Sequence, residues 1–333
     1  MKNSNNRLSN KHKPFVKVYQ GYGHTGNLVV FGHVFKKEPT IFKRLDNGLL
    51  SNFVQLLRLF FVRPIAEAKL VLYFHDQILE GKTEYDGFFK FEWKSNKELF
   101  AGWHDVRVDT LKEDGAIGHS AIGNIFVPHI TQYAFISDID DTVMKSYSAT
   151  LFRRLYELLT RSLSRRQIFI ETVNHYKLLS LAQTTIAMPN PIFYVSSSEW
   201  NLYDYLQRIF RHNQLPEGIF LLNQIKRWYQ LFTSGRTGHD GKLMRITRIL
   251  QAFPKQKFVL IGDNSQRDPD IYSAIATKYS HQIYAVYIRN VRPSRADTTI
   301  ALLDELEAIG IQTSIFIHSS EAIDHGRRIG LIG

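Results

Sequence analysis

The chain has 333 residues, 44% hydrophobic and 22% charged, with a net charge of +11. That length supports two domains with their own cores, and the absence of cysteine rules out a disulfide framework, thiolate chemistry and a zinc–thiolate site. No apolar run approaches the roughly 18 residues of a membrane-spanning helix. The basic balance favours anionic partners such as acidic lipid surfaces or phosphorylated substrates, and without a zinc-finger or RNP fingerprint no nucleic acid is expected.

Residues 1–14 are polar and basic and lack the apolar stretch of a signal peptide, so a disordered tail and a cytoplasmic location are expected. Gly21-Tyr22-Gly23-His24-Thr25-Gly26 fits G-x-G-x-x-G, yet the next segment, Leu28-Val29-Val30-Phe31, is strand-like where a dinucleotide site needs a helix. Strands are predicted over 28–35, 69–74, 88–93, 103–108 and 121–127. The alternation of Phe89, Phe91 and Trp93 with Lys90 and Glu92 marks a half-buried strand. One helix is predicted over 52–61. Short strands separated by turn residues suggest an antiparallel β-sandwich over 15–129.

From Tyr133 the rhythm becomes strand, helix, strand. Strands are predicted over 133–137, 191–195, 219–222, 257–261, 282–288 and 313–317, with helices over 202–211, 242–253, 269–279 and 298–309. This alternation predicts an α/β fold, a doubly wound parallel sheet over 130–333, with a small helical insert at about 143–190. Basic residues cluster in the insert (Arg153, Arg154, Arg161, Arg165, Arg166), and Lys226 and Arg227 adjoin Trp228 and Tyr229. Such segments suit peripheral contact with an anionic membrane, or a helix with a solvated basic face.

Four places carry chemistry. The apolar run 133–137 ends in Asp138-Ile139-Asp140-Asp141-Thr142, so two carboxylates spaced i, i+2 fall at a strand tip, where open α/β sheets bind ligands. One could attack phosphorus, the other could give and take a proton, and together they attract a hard cation such as Mg²⁺. By itself the pattern is equally an acidic turn. The strand 191–195 runs into Ser196-Ser197-Ser198, whose hydroxyls could hold phosphoryl oxygens or cap the next helix. Lys242 stands at a predicted helix start and offers one positive charge near the sheet tips. The strand 257–261 leads into Gly262-Asp263 and Asp268, with Gly262 expected to allow a sharp turn and Asp263 to complete an oxygen-rich Mg²⁺ site.

In this order the four elements resemble the haloacid dehalogenase (HAD) superfamily of phosphatases. Asp138 to Thr142 matches motif one, Ser196 motif two, Lys242 motif three, and Gly262-Asp263 with Asp268 motif four. Tyr194-Val195-Ser196-Ser197-Ser198, Trp200-Asn201-Leu202-Tyr203, Phe253-Pro254 and Asp268-Pro269-Asp270-Ile271-Tyr272 are similar to the actin-patch-protein type of phosphatidate phosphatase; Glu199 departs from its usual proline. The resemblance implies a HAD-like fold behind the β-sandwich and Mg²⁺-dependent hydrolysis of a phosphate monoester, a phospholipid such as phosphatidate. It implies Asp138 as nucleophile, Asp140 as acid and base, Lys242 as charge stabiliser, and Thr142, Ser196 and Ser197 on the substrate. Asp138, Asp140, Asp263 and Asp268 are implied around the metal. A soluble phosphometabolite as substrate, and a membrane- or partner-binding module, are the alternative readings.

Overall fold

The computed structural model describes residues 14–39, 58–129, 133–140, 142–143, 170–225 and 238–333, with the side chains of 170 and 238–240 excepted. Most of the predicted helix 52–61, the N-terminal residues 1–13, the greater part of the insert and its arginines, and the segment 226–232 lie outside the described residues.

Among the described residues two sheets stand out. The first joins eight strands: β1 (Phe15–Val18), β2 (Gly21–His24), β3 (Asn27–Phe35), β4 (Lys69–Phe74), β5 (Gln77–Lys82), β6 (Phe88–Trp93), β7 (Gly102–Leu111) and β8 (Ile117–Val127), in the order β1-β3-β2-β8-β7-β4-β5 with β6 on β3. Its pairings are antiparallel except β2 with β8. The sequence reading expected two stacked sheets; here one hydrogen-bonded ladder runs through the short β2, and both halves face a common core that includes Val30, Leu72, Phe74, Phe89, Phe91 and Val108. On β6 the predicted alternation holds, with Phe89, Phe91 and Trp93 buried and Lys90 and Glu92 exposed. Gly21 to Gly26 lies in β2 and the turn to β3, a strand pair with no helix behind it.

The second sheet is wholly parallel, in the order β11-β10-β9-β12-β13-β14, built from β9 (Tyr133–Asp138), β10 (Ile192–Glu199), β11 (Ile219–Asn223), β12 (Lys257–Asp263), β13 (Ile283–Arg289) and β14 (Gln312–Phe316). The described helices are α1 (Ile170–Ser180), α2 (Tyr203–His212), α3 (Gly238–Ala252), α4 (Asp268–Lys278), α5 (Ala296–Ala308) and α6 (Ser319–Arg328). The central strands are near-continuous apolar runs because a parallel sheet covered on both faces offers no solvent side; in β9 every residue after Tyr133 is buried. Pro269 in the first turn of α4 pre-sets the backbone, and Asp268 and Asp270 there suit the positive end of the helix dipole. No described helix is long and apolar enough to cross a membrane.

The two sheets pack on each other through aromatic rings. Tyr22 meets Phe193 edge-on at 5.3 Å between centroids, and Tyr19 stacks on Trp200 at 4.2 Å. Tyr19, Tyr22, Phe31 and Phe126 belong to the same buried cluster as the core of the parallel sheet. Arg248 on α3 pairs with Glu92 on β6 at 2.7 Å, and Lys17 on β1 pairs with Asp204 on α2.

Candidate active site

Strands of a parallel sheet all end on one rim, and that rim gathers the predicted residues. Asp138 is the last residue of β9, Asp263 the last of β12, and Asp268 the first of α4. All three are buried, as are Asp140, Thr142, Ser196 and Lys242. β9 lies between β10 and β12, so Asp138 is flanked by the serine run on one side and the Gly262-Asp263 tip on the other.

Lys242 ties the rim together. Its Nζ donates to Asp138 Oδ1 at 2.7 Å and to Asp268 Oδ1 at 2.5 Å. It lies within α3, which starts at Gly238, rather than at the helix's first residue. Burial works against its charge, but the carboxylates of Asp138 and Asp268 and the hydrogen bonds to them outweigh it, and the ammonium is held above its ordinary range. Asp138 also moves up, which for a carboxyl favours the neutral form. Burial first, then the like charges of Asp268, Asp140 and Asp263, push its carboxyl well above the usual range against the pull of Lys242. Among the described residues, Asp138, Asp140, Asp263 and Asp268 thus gather in a buried space around the Lys242 ammonium.

Carboxylate oxygens of Asp138, Asp263 and Asp268 all lie within 4.8 Å of one another. Asp138 Oδ2 is buried and makes no hydrogen bond. Hard oxygen donors at this spacing, one of them unpartnered, fit a divalent ion of the Mg²⁺ type. Asp268, implied by the resemblance around the metal, belongs to this group. The Asp140 carboxyl stands apart from it and accepts a hydrogen bond from Ser196 Oγ at 3.1 Å. The Thr142 hydroxyl, expected on the substrate, donates to Asp263 Oδ2 at 3.2 Å.

Two local expectations are corrected. Gly262 makes no turn; it lies inside β12 without a positive φ. Its missing side chain makes room instead, because a Cβ there would stand 2.6 Å from Asp268 Oδ2 and 2.7 Å from the Tyr272 ring. The serine run caps no helix. β10 continues to Glu199 with an irregularity after Val195, the following 3₁₀ turn (Trp200–Leu202) has no side-chain cap, and the Ser196 hydroxyl instead accepts the backbone N–H of Ser198 at 2.9 Å. Ser197 is half-buried in the same loop.

Sequence reasoning missed three supporting groups. Tyr176 on α1 shares a 2.5 Å hydrogen bond with the Ser137 hydroxyl, and Ser137 donates to the Asp138 carbonyl at 2.7 Å. Arg245, one turn beyond Lys242, donates to the Ser196 carbonyl at 3.2 Å. Buried Arg289, paired in the ladder with Asp263, donates to Thr172, Ser319 and the Ile317 carbonyl. Spacing from Asp138 and Lys242 carries no signal for these long-range partners.

Comparison with known proteins gives this geometry a context. Residues 133–290 match the family model described as phosphatidate phosphatase APP1, catalytic domain. The chain is 29% identical over 166 residues to the phosphatidate phosphatase APP1 of Saccharomyces cerevisiae, covering 49% of this chain and 26% of that protein. It is 24% identical over 250 residues to an uncharacterized protein of Schizosaccharomyces pombe, covering 74% of this chain and 39% of that one. The chain thus spans well under half the length of these relatives. Among solved structures, a carbohydrate acetylesterase from Xanthomonas citri aligns over 94% of this chain and 71% of its own at 12% identity and a TM-score of 0.36, a likeness too slight to carry an argument.

Proposed function

We propose, from the match of residues 133–290 to the APP1 catalytic-domain model, that this protein is a Mg²⁺-dependent phosphatidate phosphatase of the HAD type. The wholly parallel sheet with its carboxylates at one rim supports the HAD reading, and with it a division into an N-terminal β-domain (15–129) and a catalytic unit (130–333). The observation that carries the reading is the buried contact of Lys242 with both Asp138 and Asp268, with Asp140 held separately by Ser196.

Asp138, Asp263 and Asp268 would hold the ion, whose charge would offset theirs and that of the phosphoryl group. Asp138 attacks phosphorus through a carboxylate oxygen as the bond to the leaving oxygen breaks. Asp140, protonated at the start, gives its proton to that oxygen, and the alcohol departs. An aspartyl phosphate remains. Asp140, now a carboxylate, takes a proton from water as the water oxygen attacks phosphorus. The bond to Asp138 breaks, inorganic phosphate leaves and both side chains return to their starting forms. Lys242 stabilises charge on the phosphoryl oxygens, and Ser196 keeps Asp140 aimed. Phosphoryl transfer depends chiefly on such positioning and electrostatics.

The test is phosphate release from phosphatidate in mixed micelles and from a panel of soluble monoesters, with folded Asp138→Asn as control. Release from phosphatidate above the soluble esters, absent in Asp138→Asn, is expected. Preference for a soluble ester would move the substrate to that class, and turnover by Asp138→Asn would sink the mechanism.

A further inference from the structure

The serine loop that orients Asp140 is weakly fixed by its own strand. Pairing of β10 with β9 stops at Val195, opposite Asp138, and pairing with β11 breaks between Val195 and Glu199. Ser196 to Ser198 therefore span an irregular stretch, held by Arg245 on the Ser196 carbonyl and by the chain on either side. Upstream the ladder holds Val195. Downstream β10 pairs once more at Glu199, opposite Asn223, and Trp200, the next residue, is packed by Tyr19 and its neighbours.

The Tyr19 ring, between β1 and β2, lies parallel to the Trp200 indole, 4.2 Å between centroids and 13° between planes. Tyr19 is itself fixed. Its N–H donates to the Phe31 carbonyl at 2.8 Å, and its hydroxyl shares a 3.0 Å hydrogen bond with His33 Nδ1. The neighbouring residues repeat the pattern. Asn201 Nδ2 donates to the Leu59 carbonyl at 2.9 Å, and the Gln20 N–H donates to the Tyr203 hydroxyl at 3.2 Å. Tyr19 and Trp200 are both more than nine-tenths buried. Stacking adds to area burial, and it fixes the position of the indole as well as its depth.

We propose that Tyr19 is a positioning residue for phosphoryl transfer: by stacking on Trp200 it holds the serine loop at the height from which Ser196 orients Asp140. The N-terminal sheet is then part of the catalytic apparatus rather than an accessory. The inference rests on the phosphatase reading for its kinetic consequence and on geometry alone for the hold on the loop.

The experiment compares three variants of the full chain. Tyr19→Leu removes the stacking ring. Tyr19→Phe keeps the ring and loses the bond to His33. Tyr22→Leu removes a ring from the same seam that packs on Phe193 and Phe253 instead of the loop. Turnover of p-nitrophenyl phosphate and glycerol phosphate, melting temperature, and amide hydrogen exchange over 196–203 are measured. A misaimed Asp140 harms the poor leaving group most, because nitrophenolate departs without a proton. Tyr19→Leu should lose about tenfold or more in kcat on glycerol phosphate, since small misplacements of catalytic groups cost factors of this order. It should lose less on the nitrophenyl ester and exchange faster over 196–203. Tyr19→Phe should keep kcat despite a lower melting temperature, and Tyr22→Leu should melt earlier without either effect. Equal losses on both esters, following melting temperature alike in Tyr19→Leu and Tyr22→Leu, would overturn the proposal, as would unchanged exchange in Tyr19→Leu. If the wild-type protein turns over neither ester, kcat is read on phosphatidate in mixed micelles; no turnover there counts against the phosphatase reading, while faster exchange confined to Tyr19→Leu still supports the hold on the loop.

Discussion

Lys242 Nζ lies 2.5 Å from Asp268 Oδ1, on the same side chain that leans over the Gly262 backbone of β12. One ammonium thus joins the helix carrying Lys242 to the strand tip carrying Asp138 and to the helix start carrying Asp268. Removing it leaves Asp138 and Asp268 buried without their common partner, and breaking a buried pair of this kind costs about 3–5 kcal/mol. Lys242→Met should lower the melting temperature sharply in chelator, regain much of it with Mg²⁺, and lose turnover in both conditions. A melting temperature in chelator equal to wild type would contradict the ion-pair account.

Gly262 offers a smaller perturbation. Alanine puts a Cβ 2.6 Å from Asp268 Oδ2 and 2.7 Å from Tyr272 Cε2, and one of them has to move. Overpacking of this kind costs about 1–3 kcal/mol. Because the displaced group includes a candidate metal ligand, Gly262→Ala should also weaken Mg²⁺ binding, read by calorimetry. Wild-type Mg²⁺ affinity in the variant would show that Tyr272 alone yields.

Metal should reveal itself in stability as well as turnover. An ion binding only the folded chain adds about 2.7 kcal/mol at a hundred times its Kd. Mg²⁺ should raise the melting temperature of the wild type, and Asp263→Asn should erase most of that gain. Ca²⁺ should bind yet support little turnover, because it prefers more ligands and looser geometry. An unchanged wild-type melting temperature across a Mg²⁺ titration would rule the site out.

Two buried histidines set an acid limit. Burial, aided by the charge of Lys17 for His33 and of Arg289 for His175, lowers each from 6.5 to about 3. Between these values the unfolded chain binds the proton and the folded chain does not, so stability is full above pH 6.5 and is lost as pH falls toward 3. Each contributes a slope of up to about 1.4 kcal/mol per pH unit. Urea unfolding over this range should lose part of its pH dependence in His175→Gln; an identical slope would show that His175 is not neutral in the folded state.

The basic residues of the insert bear on membrane contact. Arg153, Arg154, Arg161, Arg165 and Arg166 should draw the protein to anionic vesicles, each worth about 1 kcal/mol near a charged surface and screened by salt. Substituting all five by Gln should cut phosphatidate hydrolysis and spare p-nitrophenyl phosphate. Equal loss on both would assign them to fold or chemistry, and no loss to a solvated face.

The rim residues were legible because each follows an apolar run or stands in the first turns of a helix, so a local pattern announces a position in space. Asp138, Ser196, Lys242, Asp263 and Asp268 all came from that signal. The strands it missed carry too little of it. β5 alternates Gln77, Glu80 and Lys82 with few apolar residues, and β2 includes Gly21 and Gly23. Helix α6 hides behind Glu321, Asp324, Arg327 and Arg328, with Ala322, Ile323 and Gly326 as its buried face. Tyr19 against Trp200, and Tyr176 against Ser137, were out of reach because each joins distant segments through a pairing that no periodicity encodes.

The strand order has a consequence for synthesis. β9 pairs on one side with β10 and on the other with β12, whose register sets Tyr133 opposite Lys257, more than a hundred residues later. A chain still on the ribosome that has emerged only as far as α2 holds Asp138 on an unsealed edge, without the Lys242 ammonium or the Asp263 and Asp268 carboxylates. Closing so long a loop is slow, and an open parallel edge is exposed to aggregation meanwhile. Chemical competence therefore arrives late and all at once, when β12 docks and α4 carries Asp268 onto the rim.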